Sequence, residues 1–307
     1  MKKPKKVLCV LMSLMAVCFA AACGNDNGSS SPAAPQQKTE TEIVADALAD
    51  GELSILALGN SFSLDGMDKV YPIAKSLGIE NLHLGILSYG GCTLEQHENY
   101  LKNDTASYGY SEWSEEEGGW AKSDNVKAST MISSYAWDYI VLQQGSGSSG
   151  MSETYSNLTK VANLVRSHNQ NAVFVWQMTW AYQGNSTHPE FYKYENDQIK
   201  MYNAIVSATQ KRVVNNRNIA MIIPSGTAIQ NARTSSLGDT LTRDGYHLAR
   251  SKGRYIAALT FVAKLAGKDI STLTYLCDGV DETTRDIAVQ SVQKAIANPF
   301  AVSNVNL

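Results

Sequence analysis

Five short stretches of the chain are largely apolar, and each ends at glycine or polar residues. They are LSILALG, LHLGILS, WDYIVLQQG, AVFVWQM and IAMIIPSG, which begin at residues 53, 82, 137, 172 and 219. Continuous apolar runs of this length are typical of strands that are covered on both faces, whereas a half-exposed strand alternates apolar and polar residues. The pattern therefore predicts five buried strands.

Between these runs lie stretches in which apolar residues recur every three or four positions. The clearest are MDKVYPIAKSLGI, SNLTKVANLVRSHN and NDQIKMYNAIVSATQKRVV, which begin at residues 67, 156 and 196. This spacing is typical of amphipathic helices. Strands that alternate with helices favour an α/β fold, a three-layer α/β/α sandwich with a central parallel sheet of about five strands. In such folds the reactive groups gather at the carboxyl ends of the strands.

The first 49 residues have a different composition from the rest. Residues 1–22 combine four lysines with the apolar run VLCVLMSLMAVCFA and small residues before Cys23. This arrangement predicts a bacterial lipoprotein signal peptide, with lipid attached to Cys23 and the protein held at the membrane of the cell envelope; an uncleaved anchor helix is the alternative. Residues 23–49 are mostly small and polar, so we predict a flexible linker there and one folded domain over residues 50–307.

Cleavage would change the charge of the chain. The full sequence has a formal net charge of −3, and loss of the four lysines lowers it to −7. Little then remains to neutralise phosphates, so we expect no nucleic-acid partner. Cys92 and Cys277 are left beside the lipidated cysteine. They either form a disulfide in an oxidising compartment or lie unpaired as small core residues.

Ser61 follows the first predicted strand in the sequence ILALGNSFS. A tight turn after that strand would present its hydroxyl at the carboxyl edge of the sheet, together with backbone N–H groups of the turn. A serine in this position acts as a nucleophile when a base accepts its proton. Serine is also a common helix cap, so Ser61 or Ser63 could instead cap the helix that follows. This stretch alone leaves both roles open.

Asp244 and His247 stand three residues apart in the sequence LTRDGYHLAR. On a helical turn or in a tight loop, this spacing places a carboxylate within reach of an imidazole. The carboxylate then orients the ring and stabilises its protonated form. The remaining histidines share no metal-ligand spacing, and we expect neither a metal site nor another cofactor.

These residues and several longer motifs resemble the SGNH hydrolases, a branch of the GDSL esterases. The motifs are GNSFS, GGCTLEQH, WDYIVLQQGS, WAYQGNSTHP, NDQIKMYNAI, TAIQNARTS and RDGYHL. The resemblance is closest to a bacterial branch known mainly as a domain of unknown function, and it extends over roughly residues 52–303. It implies a flavodoxin-like α/β/α fold and the hydrolysis of esters, often acetyl groups on carbohydrates. It also implies that Ser61 is the nucleophile, His247 the base and Asp244 the acid that orients it.

The superfamily holds the reaction's oxyanion with the serine N–H, a loop glycine N–H and an asparagine side chain. In this chain Gly91 matches the glycine, with Gly90 as the alternative. The asparagine is replaced by the sequence QQGSGS, which is similar to the glutamine–glycine loop of sialate O-acetylesterases. The resemblance therefore implies Gln144 as the amide donor, with Gln143 or Ser146 as alternatives.

Two segments carry more aromatic residues than a connection needs, YGYSEWSEEEGGW from residue 108 and WQMTWAYQGNSTHPEFYKY from residue 176. Aromatic faces edged by polar groups suit a sugar ring, and we expect Trp180 and Tyr182 to contact the substrate. The alternative is that these rings pack only against each other. The sequence thus predicts a lipid-anchored serine esterase that acts on an acylated carbohydrate or another small ester. A lipoprotein that binds glycans without cleaving them is the second interpretation.

Overall fold

The central sheet of the protein has seven strands. The structure, a computed structural model, describes residues 38–307. The order across the sheet is β4-β3-β2-β1-β5-β6-β7. The five parallel strands coincide with the five apolar runs, so the predicted parallel sheet is confirmed. The strand bounds are β1 Glu52–Gly59, β2 Asn81–Ser88, β3 Ala106–Ser114, β4 Gly119–Lys127, β5 Tyr139–Leu142, β6 Val173–Gln177 and β7 Met221–Ile223.

Helices form a layer on each side of this sheet. Their bounds are α1 Glu40–Ala47, α2 Ser61–Met67, α3 Val70–Ser76, α4 Leu94–Lys102, α5 Ala128–Ser133, α6 Leu158–His168, α7 Gln198–Arg212, α8 Ser225–Ala232, α9 Lys252–Leu265 and α10 Glu282–Ala297. Helices α2, α3, α8, α9 and α10 are joined by mutual contacts, and α4, α5 and α6 form a second group, which α7 joins through a short 3-10 helix at Ser152–Asn157. The predicted three-layer arrangement is confirmed.

Strand β1 lies in the middle of the sheet, between β2 and β5. It is buried from Leu53 to Gly59, which explains why its residues are apolar without alternation. The chain passes from β1 to β2 on one side and later reaches β5 on the other side. At such a reversal of direction a crevice opens beyond the carboxyl ends of the strands. The residue that follows this end of β1 is therefore placed at the entrance of the crevice.

The first aromatic segment, which the sequence places between predicted strands, forms the antiparallel hairpin β3–β4 at one edge of the sheet. Within β3, Tyr108, Tyr110 and Ser111 are buried while the other residues are partly or fully exposed. This half-exposed hairpin mixes serine, glycine and glutamate with its aromatic residues, so it lacks the continuous apolar run that identified the other strands. The acidic run Glu115–Glu117 lies at its turn.

The predicted linker is wrong over residues 40–49, because helix α1 begins at Glu40. Ile43 and Ala47, one helical turn apart, are buried, and Glu40 forms an ion pair with Lys264 of α9. The folded domain thus begins about ten residues earlier than the sequence predicts. The predicted signal peptide, Cys23 and the first part of the linker lie outside the described residues. Within residues 38–307, no helix is both long enough and apolar enough to cross a membrane.

Candidate active site

Ser61 is the first residue of α2, directly beyond the end of β1. The helix is capped by Asn60, whose side-chain oxygen accepts a hydrogen bond from the backbone N–H of Phe62 at 2.9 Å. The cap is therefore supplied by the residue before Ser61, and the Ser61 hydroxyl is not needed for it. Ser63 is buried and its hydroxyl has no hydrogen-bond partner, so it does not cap the helix either.

The Ser61 hydroxyl lies beside the predicted histidine. Its Oγ is 2.8 Å from Nε2 of His247, and Nδ1 of that ring is 2.7 Å from Oδ2 of Asp244. With a neutral ring, Nδ1–H donates to the carboxylate, which leaves Nε2 free to accept the serine proton. The structure thus brings the pair Asp244 and His247 together with Ser61, which lies 186 positions before the histidine.

A tight turn holds Asp244 against the histidine. Oδ1 of Asp244 accepts the backbone N–H groups of His247 and Tyr246, at 2.8 and 3.2 Å. Gly245 adopts a φ of +90°, and a Cβ there would lie 3.0 Å from the backbone of Ser186, so that only glycine fits. Partial burial works to raise the pKa of Asp244, but the bonds from the ring and the two N–H groups outweigh it and hold that pKa below its ordinary value.

A buried carboxylate, Asp65, joins the helix of Ser61 to the loop of His247. Asp65 lies one turn after Ser61 in α2 and is completely buried. It accepts the backbone N–H of Leu248 at 2.8 Å, and it pairs with Arg243 at 3.0 Å and with Arg254 of α9 at 2.6 Å. Sequence reasoning missed this residue. The sequence offers only part of the signal: a buried carboxylate needs partners, and Arg243 stands directly before the Asp-x-x-His motif, but Arg254 lies further along the chain.

The glycine loop after β2 lies next to Ser61. Asn60 donates through Nδ2 to the carbonyl of Cys92 at 3.1 Å, and the N–H of Tyr89 donates to the carbonyl of Gly59 at 3.2 Å. Gly91 has a φ of +65°, in the left-handed region that favours glycine. Within residues 38–307, the backbone N–H groups of Ser61 and Gly91 donate to no protein acceptor. Two donors are therefore free, one on Ser61 itself and one on the loop to which the preceding Asn60 is bonded.

The prediction that Gln144 is an oxyanion donor is wrong, because its side chain is fully engaged elsewhere. Nε2 donates to the hydroxyl and the carbonyl of Thr154 at 2.9 and 3.1 Å, and Oε1 accepts the N–H groups of Leu94 and Gly145 at 2.9 and 2.8 Å. Gln144 thus fixes the loop after β5 to the start of α4.

Gln143 and Ser146, the two alternatives to Gln144, have different hydrogen-bond partners. Gln143 is buried, and its Nε2 donates to Oδ1 of Asn60 at 2.6 Å. Ser146 is half-buried, and its hydroxyl is 2.8 Å from the hydroxyl of Tyr182. Gly145, the residue before it, packs against the backbone carbonyls of Gly91 and Cys92. The Ser146 hydroxyl therefore lies on a loop that contacts the Gly91 loop directly.

Trp180 and Tyr182 do not contact a substrate as predicted, because both side chains are completely buried. The ring of Trp180 stacks on that of Phe62 at 4.3 Å, and its Nε1 donates to the carbonyl of Tyr246 at 2.8 Å. Trp180 thereby supports the start of α2 and the Asp-x-x-His turn together. The sequence does not show in which direction the side chains of Trp180 and Tyr182 point after the fourth predicted strand.

Other aromatic residues border the site instead. Tyr246 is half-buried, and its ring lies 4.2 Å from the ring of His247 and 4.6 Å from that of His188. Burial lowers the pKa of His188. Tyr89, whose carbonyl accepts the N–H of Cys92 in the Gly91 loop, is 39% exposed. Sequence reasoning set His188 aside as isolated, because its proximity to His247 arises only in the folded chain.

The two cysteines within the described residues are unpaired. Cys92 is buried, and burial raises the pKa of its thiol to about 12. Cys277 is partly exposed. Of the two interpretations that the sequence left open, the unpaired one is therefore correct.

Comparison with known proteins gives one family. The family model DUF4886, described as a domain of unknown function, matches residues 54–295. A DUF4886 family protein from Bacteroides uniformis ATCC 8492 has a solved structure that is 35% identical, covers 83% of this chain and 98% of its own, and has a TM-score of 0.79. No curated protein matches the chain.

Two more distant structures are also similar. A candidate SGNH hydrolase from Slackia heliotrinireducens is 18% identical over 70% of this chain and 99% of its own, with a TM-score of 0.43. Axe2, an acetylxylan esterase from Geobacillus stearothermophilus, is 10% identical over 69% of this chain and 94% of its own, with a TM-score of 0.43.

Proposed function

The chain belongs to the DUF4886 family, a domain of unknown function, and from the geometry around Ser61 we propose that it is a serine esterase. Its substrates are acyl esters, with O-acetyl groups on carbohydrates as the proposed class. The observation that carries the proposal is the hydrogen-bonded row from Asp244 through His247 to Ser61. This is the arrangement in which a base and an orienting acid make a serine hydroxyl nucleophilic.

In the proposed reaction, Nε2 of His247 takes the proton of Ser61 as Oγ attacks the ester carbonyl carbon. The carbonyl π electrons move to its oxygen, which gives a tetrahedral oxyanion. His247 then donates its proton to the alcohol oxygen as the carbon–oxygen bond breaks, and an acyl-Ser61 remains. Water, deprotonated by His247, repeats the attack and releases the carboxylic acid. Asp244 stays ionised throughout, in keeping with its lowered pKa.

The oxyanion would be held by groups that the fold leaves without partners. The backbone N–H groups of Ser61 and Gly91 are two such donors. For the third we propose the hydroxyl of Ser146, which is oriented by the buried Tyr182 and lies on the loop that packs against Gly91. Each hydroxyl has one hydrogen, so when Tyr182 donates to Oγ of Ser146, the Ser146 hydrogen is left to donate toward the oxyanion. Removal of one such donor typically costs about 10²–10³ in rate.

A carbohydrate is the proposed substrate because aromatic and polar side chains lie beside the residues of the proposed active site. Tyr89 and Tyr246 offer faces against which the C–H face of a sugar can pack, and His188 offers a ring nitrogen at the same rim. These residues replace the buried Trp180 and Tyr182 in the proposal.

We also propose that lipid at Cys23 holds the exported enzyme at the cell envelope. Loss of membrane association in Cys23→Ser would be the expected result.

The activity is tested with a chromogenic acetyl ester and with Ser61→Ala. We expect kcat/KM to fall by at least about 10³-fold, because the nucleophile is removed while binding groups remain. Ser63→Ala is the matched control, since Ser63 lies in the same helix and its hydroxyl has no partner. Equal turnover by the Ser61 variant and the unmutated protein would remove Ser61 from the chemistry, whereas no turnover by the unmutated protein would favour a protein that only binds glycans.

The substrate class needs a second measurement. A panel of acetylated polysaccharides, each compared with its chemically deacetylated form, is incubated with the enzyme and the released acetate is measured. Acetate release from at least one polysaccharide, abolished in Ser61→Ala, is expected. Hydrolysis of the chromogenic ester without acetate release from any polysaccharide would keep the esterase and reject the carbohydrate.

A further inference from the structure

A second groove shares no lining residue with the proposed active site. In the β2–β3 ladder, Ser88 pairs with Gly109 at the carboxyl end of β2, and Gly85 pairs with Glu112. Strand β3 therefore runs away from the catalytic edge, and the turn after it lies at the opposite edge of the sheet. There the hairpin and the segment after α2 enclose a groove of about 680 Å³.

Aromatic rings form the walls of this groove. Trp113 and Trp120 are a cross-strand pair of the hairpin, and their rings meet edge to face at 5.5 Å. Tyr71 of α3 stacks on Trp113 at 4.6 Å with an angle of 15° between the planes, and Tyr275 lines the same groove. The rings are thus held in position by one another before any ligand arrives.

Polar bonds fix the rings further. Nε1 of Trp120 donates to the carbonyl of Asp68 at 3.4 Å, and the hydroxyl of Tyr71 donates to the carboxylate of Glu115 at the hairpin turn. The turn also supplies Gly118 to the lining, and a Cβ placed there would meet no atom within 4 Å. The groove is therefore open on the glycine side and rigid on the aromatic side.

The charges at the groove are already neutralised within the protein. Asp68 pairs with Lys69 at 3.1 Å and with Arg254 at 3.2 Å, and Lys75 pairs with Glu80 at 2.9 Å. The charged residues that line the groove, Asp68, Lys69 and Lys75, are thus each in an ion pair, and the rest of the lining offers aromatic faces and hydrogen-bonding groups. A pyranose ring has the matching chemistry, because its C–H faces pack on aromatic rings and its hydroxyls bond to the polar rim.

We propose that this groove binds neutral pyranose units of a polysaccharide at a site separate from the esterase centre. Helix α2 has Ser61 at its start, and Asp68 follows its end, a separation of about 10 Å at 1.5 Å per residue. The groove would hold a polymer on the enzyme while acyl groups elsewhere on the same polymer reach Ser61. The inference goes beyond the proposed activity, and it would stand if Ser61 were inert.

The tryptophans of the chain provide a direct readout. Of its five tryptophans, Trp137, Trp176 and Trp180 are at most 2% exposed, whereas Trp113 and Trp120 are half-buried in the groove. Ser61→Ala is titrated with cellohexaose, xylohexaose and mannohexaose, with oligogalacturonate as the charged comparison. We expect at least one neutral oligosaccharide to shift the tryptophan emission. No shift with any neutral sugar, or a shift with oligogalacturonate alone, would overturn the proposal.

Calorimetric titration then locates the binding. Trp120→Ala is expected to raise the Kd about tenfold, which corresponds to the loss of one aromatic contact. Trp120→Phe is expected to restore most of the affinity. Tyr192→Ala, at an aromatic residue that is 67% exposed outside the groove, is the matched control. All three are made in the Ser61→Ala background and checked by thermal unfolding. An unchanged Kd in folded Trp120→Ala, or equal losses in Trp120→Ala and Trp120→Phe, would contradict the assignment.

The same substitution separates this proposal from the esterase. In a protein with Ser61 intact, Trp120→Ala should leave turnover of the small chromogenic ester unchanged and slow acetate release from dilute polysaccharide. If Trp120→Ala left the rate of acetate release from dilute polysaccharide as unchanged as the rate on the small ester, the groove would have no part in polymer binding, whatever the activity at Ser61.

Discussion

Asp65 offers the sharpest test of how the fold holds the site, through the substitution Asp65→Asn. The carboxylate is buried, and it binds Leu248 N–H, Arg243 and Arg254. Loss of one partner from a buried ion pair typically costs about 3–5 kcal/mol. The two arginine side chains are 31% and 17% exposed and so regain some hydration, which places the cost near the lower end, at about 3 kcal/mol.

That cost should appear in both stability and catalysis. For a domain of this size, about 3 kcal/mol lowers Tm by about 6–10 °C. Because Leu248 follows His247, the relaxed loop should also misplace the imidazole relative to Ser61, and a displacement of about 1 Å costs about 10²-fold in kcat. Thermal unfolding and ester turnover at 25 °C measure the two effects separately.

Asp68→Asn is the control for Asp65→Asn, because Asp68 shares Arg254 but does not bind the His247 loop. It should lower Tm by less than half as much and leave kcat unchanged. The reasoning would be refuted if Asp65→Asn melted at the same temperature as the unmutated domain and turned over ester at the same rate.

Three further predictions follow from the site. Asp244→Asn should lower kcat by about 10³–10⁴-fold without changing the fold, because an amide favours the wrong tautomer of His247. Steady-state kinetics measures the loss of kcat, and circular dichroism checks the fold. A loss of kcat under tenfold would contradict this prediction. Gln144→Ala should lower Tm by several degrees, since it leaves the N–H groups of Leu94 and Gly145 without an acceptor, yet reduce kcat far less than the about 10²–10³ expected for an oxyanion donor. Because the folded pKa of Asp244 lies below its ordinary value of about 3.9, its stabilisation is present above that pH and is lost as the pH falls through the folded pKa. Unfolding measured from pH 6 to pH 3 should therefore show a shallower loss of stability in Asp244→Asn, and parallel curves would refute this.

The sequence was sufficient to predict the parallel strands, because their signals are local. The same holds for Ser61, Asp244 and His247. The strand β1 is buried along its length, so its composition alone identifies it. Ser61 follows it directly, and the Asp244–His247 spacing is short enough for one turn to close. Once parallel strands are assumed, their carboxyl ends share an edge, which brings distant segments together.

The remaining features depend on which way side chains point and on what packs against them. Gln143 and Gln144 are neighbours of the same type, and only their burial partners show that one binds Asn60 and the other Thr154. Trp180 stands in a segment that suits a binding site, but its ring stacks beneath Phe62. The role of Asp65 depends on two arginines that lie 178 and 189 positions away. Such information is set by tertiary contacts rather than by local pattern.

The most direct test of the central claim is to identify the residue that reacts with a fluorophosphonate. The intact protein is treated with the probe, digested, and sequenced by mass spectrometry. The geometry of Ser61 and His247 predicts one adduct per chain, on Ser61 Oγ, and its absence from His247→Ala. An unlabelled native protein, or an adduct on Ser63 or Ser146 with Ser61 unmodified, would contradict the account.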